Sequence, residues 1–267
     1  MIRALALFAG LALASSAVAQ ERPWTPLPSP VSATCPGGLC QPEGLERFFA
    51  ALNGTGPVRV IQFGDSHTAG GDITTSLLWR LQGRFEGREI GLSARGVVGA
   101  TLSGLAAREP LFEPGEAVPD LIIVAYGVNE GFDDALVPRA YEALLRGQVA
   151  RLKAAAPGAA LLILGAPEAM RGEGGGTCPD DPERRWKTPV LLAVVRDVQH
   201  RVAADMGVAL WDWRGRMGGE CSAHALTRGE APLMRGDHVH FTAAGGDWIG
   251  SLLFADLMAA HDRRGGR

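Results

Sequence analysis

The sequence predicts a doubly wound α/β protein, a three-layer α/β/α unit in which helices cover both faces of a parallel sheet. Three observations predict it. Short apolar runs alternate along the chain with longer segments of helical periodicity. Two of the runs, PDLIIVAYG and AALLILGAP, are apolar at nearly every position, as expected of strands buried on both faces. The residues able to do chemistry stand just after the runs, where sites form outside the carboxyl ends of parallel strands.

Taken in order, the chain opens with MIRALALFAGLALASSAVAQ. Arg3, an apolar stretch from about Ala4 to Ala14, and the small residues Ala17 to Ala19 ahead of Gln20 form the pattern of a cleavable export signal over 1–19. The stretch is too short for a membrane span and nothing behind it resembles a second one, so no integral span is expected in the mature chain. Residues 20–54 combine a Pro- and Gly-rich arm, ERPWTPLPSPVSATCPGGLCQPEG, with a short helix, GLERFFAALNG. The domain proper is expected over 55–262.

Within it, PVRVIQF is a strand, TTSLLWRLQGRF a helix and REIGLSARG a weaker strand. The buried strand PDLIIVAYG precedes a long amphipathic helix, VPRAYEALLRGQVARLKAAAPG, stopped by Pro-Gly. After the strand AALLILGAP, the piece RGEGGG reads as a mobile loop. TPVLLAVVRDVQHRVAADMG is a helix with a Gly stop, and VALWDW is a short strand on which Trp211 and Trp213 alternate as packing residues. TAAGGDWIGSLLFADLMAAH closes the domain as a helix.

The chain has 267 residues, 46% hydrophobic and 21% charged, enough to bury a large core in one unit without help from metals or disulfides. Its net charge of -3 implies no strong attraction to nucleic acid or anionic lipid. Export places the four cysteines in an oxidising compartment. Cys35 and Cys40 bracket the turn-forming PGGL, which favours that bridge and leaves Cys178 with Cys221, although four cysteines allow three connectivities. Oligomeric state leaves no mark on the sequence.

The chemistry begins at IQFGDSHTAG, where Asp65, Ser66 and His67 are neighbours. Adjacent side chains diverge, so the three do not form a triad by themselves. Ser66 is the candidate nucleophile: it follows an apolar strand and opens a helix, whose N-terminus favours negative charge. A serine needs a base and the base an orienter, and GDHVHFTAAGG supplies both as a D-x-x-H pair, Asp237 and His240. Donors for a developing oxyanion come from GVVGATLSG, with Gly99 the leading candidate beside Gly96, and from YGVNEG through the Asn129 side-chain amide. Asp65 reads as a brace for its turn. His67 caps the helix, lines the cleft or is a satisfied structural histidine. His238 alternates with His240 and so is expected to share its face. A zinc site from Asp237, His238 and His240 would consume the base that Ser66 needs, so no metal is expected. Arg171 and the following GEGGGTC loop are candidates for shaping an acyl pocket.

The blocks FGDSH, VVGAT, YGVNE and DHVHF, in that order, resemble those of the SGNH/GDSL hydrolase superfamily over essentially the whole domain. The resemblance implies a flavodoxin-like fold and a serine esterase without metal or organic cofactor. It also implies Ser66 as nucleophile, His240 with Asp237 as base and orienter, and the Ser66, Gly99 and Asn129 N–H groups as oxyanion hole. Phe241 stands where a Pro often follows the histidine. QFGDSHTAG, LGAPEA and DHVHFTAAG are more narrowly similar to bacterial peptidoglycan O-acetylesterases, which remove acetyl from the muramic acid 6-hydroxyl. Some of those carry an inserted carbohydrate-binding module, for which this chain has no room between its blocks. The expected partner is an O-acetylated glycan, and the expected location is the periplasm or the exterior. Lipase or acyl-thioesterase, glycan O-acetyltransferase and non-catalytic glycan-binding protein are the rival readings.

Overall fold

The computed structural model describes residue 35 and residues 38–265. The signal expected over 1–19 lies outside the described residues, as does the arm ahead of Cys35. One sheet is built from β1 (Leu39–Cys40), β2 (Val58–Gly64), β3 (Ile90–Gly96), β4 (Leu121–Ala125), β5 (Ala160–Leu164) and β6 (Ala209–Trp211). The helices are α1 (Glu46–Asn53), α2 (Ser66–Ala69), α3 (Asp72–Arg84), α4 (Leu102–Ala106), α5 (Val128–Gly131) and α6 (Pro138–Ala155). After them come α7 (Val190–Met206), α8 (Trp213–Met217), α9 (Ser222–Ala225) and α10 (Ala243–Gly265).

The strand order is β1-β6-β5-β4-β2-β3, with β2 to β6 parallel and β1 antiparallel to β6. The five parallel strands thus have the flavodoxin-like order: the chain steps outward from β2 to β3, then crosses back to β4 on the other side. That reversal opens a crevice at the carboxyl ends of β2 and β4, where Gly64 lies opposite Ala125.

Apolar residues on both faces of each inner strand explain the three layers. Along β4, Leu121, Ile123 and Ala125 pack against α1, α3 and α10, while Ile122 and Val124 pack against α4, α6 and α7. β5 divides in the same way, Leu162 and Leu164 against Leu161 and Ile163. Burying one such side chain contributes about 1.5–3 kcal/mol. A surface ion pair contributes ~0–1 kcal/mol, so the sheet faces, and not the many surface Arg–carboxylate pairs, hold the layers together.

Helix ends follow local chemistry. Pro138 opens α6 in the first turn, where no backbone N–H is needed, and Gly207 ends α7 in the left-handed conformation (φ 59°). Both favoured disulfides, Cys35–Cys40 and Cys178–Cys221, are present. The first sits at β1, which the sequence reads as part of an irregular arm. Two residues are too few to show a period, and their pairing with Leu210 and Trp211 is set by β6.

Two further expectations change. Trp213 is not on the strand, because the Asp212 side chain accepts from Gly215 N–H (2.9 Å) and starts α8 there; both tryptophans are buried. The RGEGGG segment is not a free loop. Arg171 bridges Lys187, while Gly174 N–H and Gly176 N–H donate to the carbonyls of Arg185 and Arg184. The Cys178–Cys221 bond anchors the excursion that carries it.

Two glycines set the height of α2 above the sheet. A Cβ on Gly64 would overlap the Thr68 hydroxyl, and a Cβ on Gly96 would overlap the Ala69 backbone nitrogen. Gly96 therefore has no soft neighbour to displace. Gly96→Ala is expected to cost about 1–3 kcal/mol through overpacking. Denaturant unfolding checks this, and wild-type stability in the variant would contradict the close approach.

Candidate active site

The turn after β2 is shaped by Asp65. Its backbone is extended and its Oδ1 accepts from His67 N–H (2.9 Å), while its carbonyl accepts from Thr68 and Ala69. Asp65 N–H donates to Ala125 O, tying the turn to the end of β4. A buried carboxylate capping a helix in this way satisfies donors that the first turn cannot. Ser66 becomes the first residue of α2, with its hydroxyl facing the crevice.

The second half of the site is the loop before α10. Asp237 Oδ1 accepts from the N–H groups of Val239 and His240, and its Oδ2 lies 2.9 Å from His240 Nδ1. Burial opposes ionisation of Asp237, but these bonds and the nearby imidazole together hold its carboxyl below the ordinary value. An ionised carboxylate only accepts, so Nδ1 carries the proton and the Nε2 lone pair faces outward. His240 Nε2 lies 2.9 Å from Ser66 Oγ, across 174 residues of chain. Arg235 N–H donates to His240 O, closing the loop from below. Ser66, Asp237 and His240 are thus joined in one hydrogen-bonded line.

On the other side of Ser66, α5 orders the 97–102 loop. Asn129 Nδ2 donates to Ala100 O (2.8 Å) and keeps a second hydrogen free of that bond. Glu130 Oε1 accepts from Leu102 N–H (2.6 Å), and burial pushes its carboxyl above the ordinary range. Gly99 adopts φ 73°, a left-handed conformation that favours glycine. Among the described residues, the N–H groups of Ser66 and Gly99 have no acceptor. The buried Gln199 holds the neighbouring strand ends, donating to Tyr126 O and accepting from Ala166 N–H. Sequence reasoning missed Glu130 and Gln199. Glu130 stood one place beyond Asn129 in YGVNE, whereas nothing local marks Gln199.

His67 and His238 part company. His67 is buried, with its ring stacked on His240 (centroids 5.5 Å apart) and its edge reaching the cavity beside Ser66. His238 does not line that cavity. Its backbone is left-handed (φ 58°), which breaks the alternation that would place it with His240. Its ring stacks on Trp186 (3.5 Å) and its Nε2 meets His224 Nδ1 (2.9 Å). Arg171 is engaged by Asp134, Glu173 and the Phe132 carbonyl and does not line the cavity either. The cavity itself, about 350 Å³, is bounded by Ser66, His240, Val98 and Phe241, with Arg235 and Asp72 at its edge.

A serine-bearing turn after the first parallel strand, hydrogen-bonded to a carboxylate–imidazole pair in the loop before the last helix, is the arrangement of the SGNH-type esterases. The comparisons agree. The chain belongs to the GDSL-like lipase/acylhydrolase family, whose model matches residues 63–248. Among solved structures it is similar to a peptidoglycan O-acetylesterase, with TM-score 0.71 and 19% identity over 82% of this chain and 96% of that one. It is also similar to an acetylxylan esterase from Geobacillus stearothermophilus (TM-score 0.55, 18% identity, 76% and 95% covered). A lipase/acylhydrolase from Enterococcus faecalis is comparable (TM-score 0.55, 18% identity, 77% and 96% covered). At these identities the likeness speaks for the fold. No curated protein matches the sequence.

Glu130 offers a pH test of this geometry. Its folded pKa is raised, so between the unfolded value and the folded one the native state holds more protons, and stability falls as pH rises through that window. Glu130→Gln keeps an acceptor for Leu102 N–H without the buried charge. It is expected to be at least as stable as wild type above the window and to lack that fall. Thermal unfolding at about pH 5 and pH 8 checks this; a variant less stable than wild type at the higher pH would contradict it.

Proposed function

We propose that the protein is an exported serine esterase that removes O-acetyl groups from a cell-wall glycan, with peptidoglycan the favoured substrate. The observation that carries the reading is the hydrogen-bonded line Asp237–His240–Ser66 opening into a small cavity. In this reading His240 takes the Ser66 proton as Oγ attacks the acetyl carbonyl, and the imidazolium is held by Asp237. The negative oxygen is received by the Ser66 and Gly99 N–H groups and the free Asn129 amide hydrogen. The tetrahedral species collapses, the sugar oxygen leaves with the proton from His240, and an acetyl-Ser66 ester remains. Water deprotonated by His240 then attacks that ester, releasing acetate and restoring Ser66.

Arg235 and Asp72 among the residues lining the cavity give it charged groups suited to a polar sugar. The likeness to a peptidoglycan O-acetylesterase supports the fold-level part of the choice. Two disulfides fit an oxidising compartment, in keeping with an export signal over 1–19. Among the described residues no helix is long and apolar enough to cross a membrane.

Acetate release from O-acetylated peptidoglycan is the test. Ser66→Ala is expected to lower kcat on the order of 10⁴-fold or more, and Asn129→Ala by about 10²–10³-fold. On p-nitrophenyl esters, acetyl should be preferred over longer chains. Equal acetate release by wild type and Ser66→Ala would overturn the mechanism. Preference for long acyl chains, or transfer of acetyl to added glycan in place of water, would overturn the substrate or the reaction class.

A further inference from the structure

His67 is buried, yet both of its ring nitrogens point at oxygens. Nδ1 lies 3.1 Å from Asp65 Oδ1 and Nε2 lies 2.9 Å from the Val239 carbonyl oxygen. A neutral imidazole carries one N–H, so it would satisfy one of these contacts and set a nitrogen lone pair against an oxygen in the other. With Asp65 present as a carboxylate, which only accepts, both contacts are favourable when both nitrogens are protonated.

The surroundings suit that state. Trp213 and Phe241 make T-shaped contacts with ring centroids 5.4 and 5.9 Å away, and His240 stacks on one face; these neighbours bury most of the ring. The titratable groups facing it are Asp65 on its own turn and Asp237 and His240 on the loop before α10, with Arg235 and, on α3, Asp72 lining the same cavity; Trp213 of α8 brings none. Burial disfavours the charged ring, but the bond to Asp65, its charge, the Val239 carbonyl and the more distant Asp237 charge outweigh it, so the His67 pKa is raised.

The acceptors matter as much as the charge. Asp65 and Ser66 belong to the same turn as His67. Val239 lies inside the Asp237–His240 loop, and its N–H is already held by Asp237 Oδ1 (2.9 Å). With its carbonyl on His67, Val239 is held at both of its backbone polar groups. This contact joins the turn bearing Ser66 to the loop bearing His240 without passing through the reacting atoms.

We propose that His67 works as an imidazolium that clasps the Asp237–His240 loop to the Ser66 turn, a positioning residue that sets His240 Nε2 against Ser66 Oγ. The inference rests on the reading of Ser66 and His240 as the reacting pair. It also implies a limit on the alkaline side. A raised folded pKa gives stabilisation that is complete below the ordinary histidine value and is lost as pH rises through the folded one. On deprotonation one of the two contacts is lost, the loop is released and kcat falls.

The ring is read directly by long-range ¹H–¹⁵N NMR of the full, ¹⁵N-labelled protein without substrate. One histidine, absent from the spectrum of His67→Gln, is expected to show imidazolium nitrogen shifts at about pH 6.5, where an ordinary imidazole is half neutral. A neutral His67 ring at about pH 6–7 would overturn the proposal. Kinetics on p-nitrophenyl acetate supply the second reading. His67→Gln is expected to lose ~10- to 100-fold in kcat through misplacement of the pair, with KM changing far less, and to lose the alkaline limb that wild type shows. Asp65→Asn keeps an oxygen for the His67 N–H but removes the counter-charge, so its limb should move to lower pH. Wild-type kcat and an unchanged alkaline limb in both variants would overturn the clasp. Should His67→Gln not fold, the wild-type spectrum and Asp65→Asn still decide. A protein inert toward every acetyl ester would instead overturn the esterase reading, leaving the charge on His67 to be settled by the spectrum alone.

Discussion

A parallel sheet with apolar residues on both faces must be covered twice, and the rest of this structure depends on that requirement. Helices that cover the two faces have to return the chain to the same edge before each new strand. All of the turns that follow strands therefore gather at the carboxyl edge. Where the chain reverses between β2 and β4, neighbouring turns diverge and leave a crevice lined by the residues that come directly after those strands. Ser66 and Asn129 occupy it for that reason, and α10 brings its preceding loop to the same place by packing on α3.

Within the crevice, order comes from carboxylates that accept backbone N–H groups. Asp65 holds the turn of Ser66, Asp237 holds Val239 and His240, and Glu130 holds Leu102. Hydrogen bonds to the ionised Asp237 contribute roughly 1.5–3 kcal/mol each, whereas the bond to Glu130, whose burial favours the neutral acid, contributes nearer ~1 kcal/mol. Three acids thus fix three irregular segments that have little regular secondary structure to define them. The Glu168 carboxylate, buried between Arg196 and Arg214, instead holds side chains together.

Legibility followed the range of the interactions. β4 and β5 were plain because burial on both faces writes itself into every position, whereas β3, an edge strand with exposed Ser93 and Ala94, left only a weak signal. β1 and the short helices α4, α5, α8 and α9 left none, since two to five residues cannot show a period and their formation is dictated by what they pack against. The ladder joining 171–176 to 184–187 looked like free loop because its glycines carry no side chain to reveal the pairing. His238 was misplaced because alternation holds only in extended chain, and one left-handed residue cancels it.

The sequence by itself determined the doubly wound class, the ends of the main helices and the residue types of the site. These rest on burial, turn chemistry and neighbours a few positions apart, as with Asp237 and His240. Only the tertiary structure decided which atoms meet: that Nε2 of His240 faces Ser66, that both nitrogens of His67 face oxygens, and that His238 faces away. Hydrogen bonding is directional at the scale of an ångström, and between residues 172 or 174 positions apart such precision is set by the packing of whole layers, which no local stretch of sequence encodes.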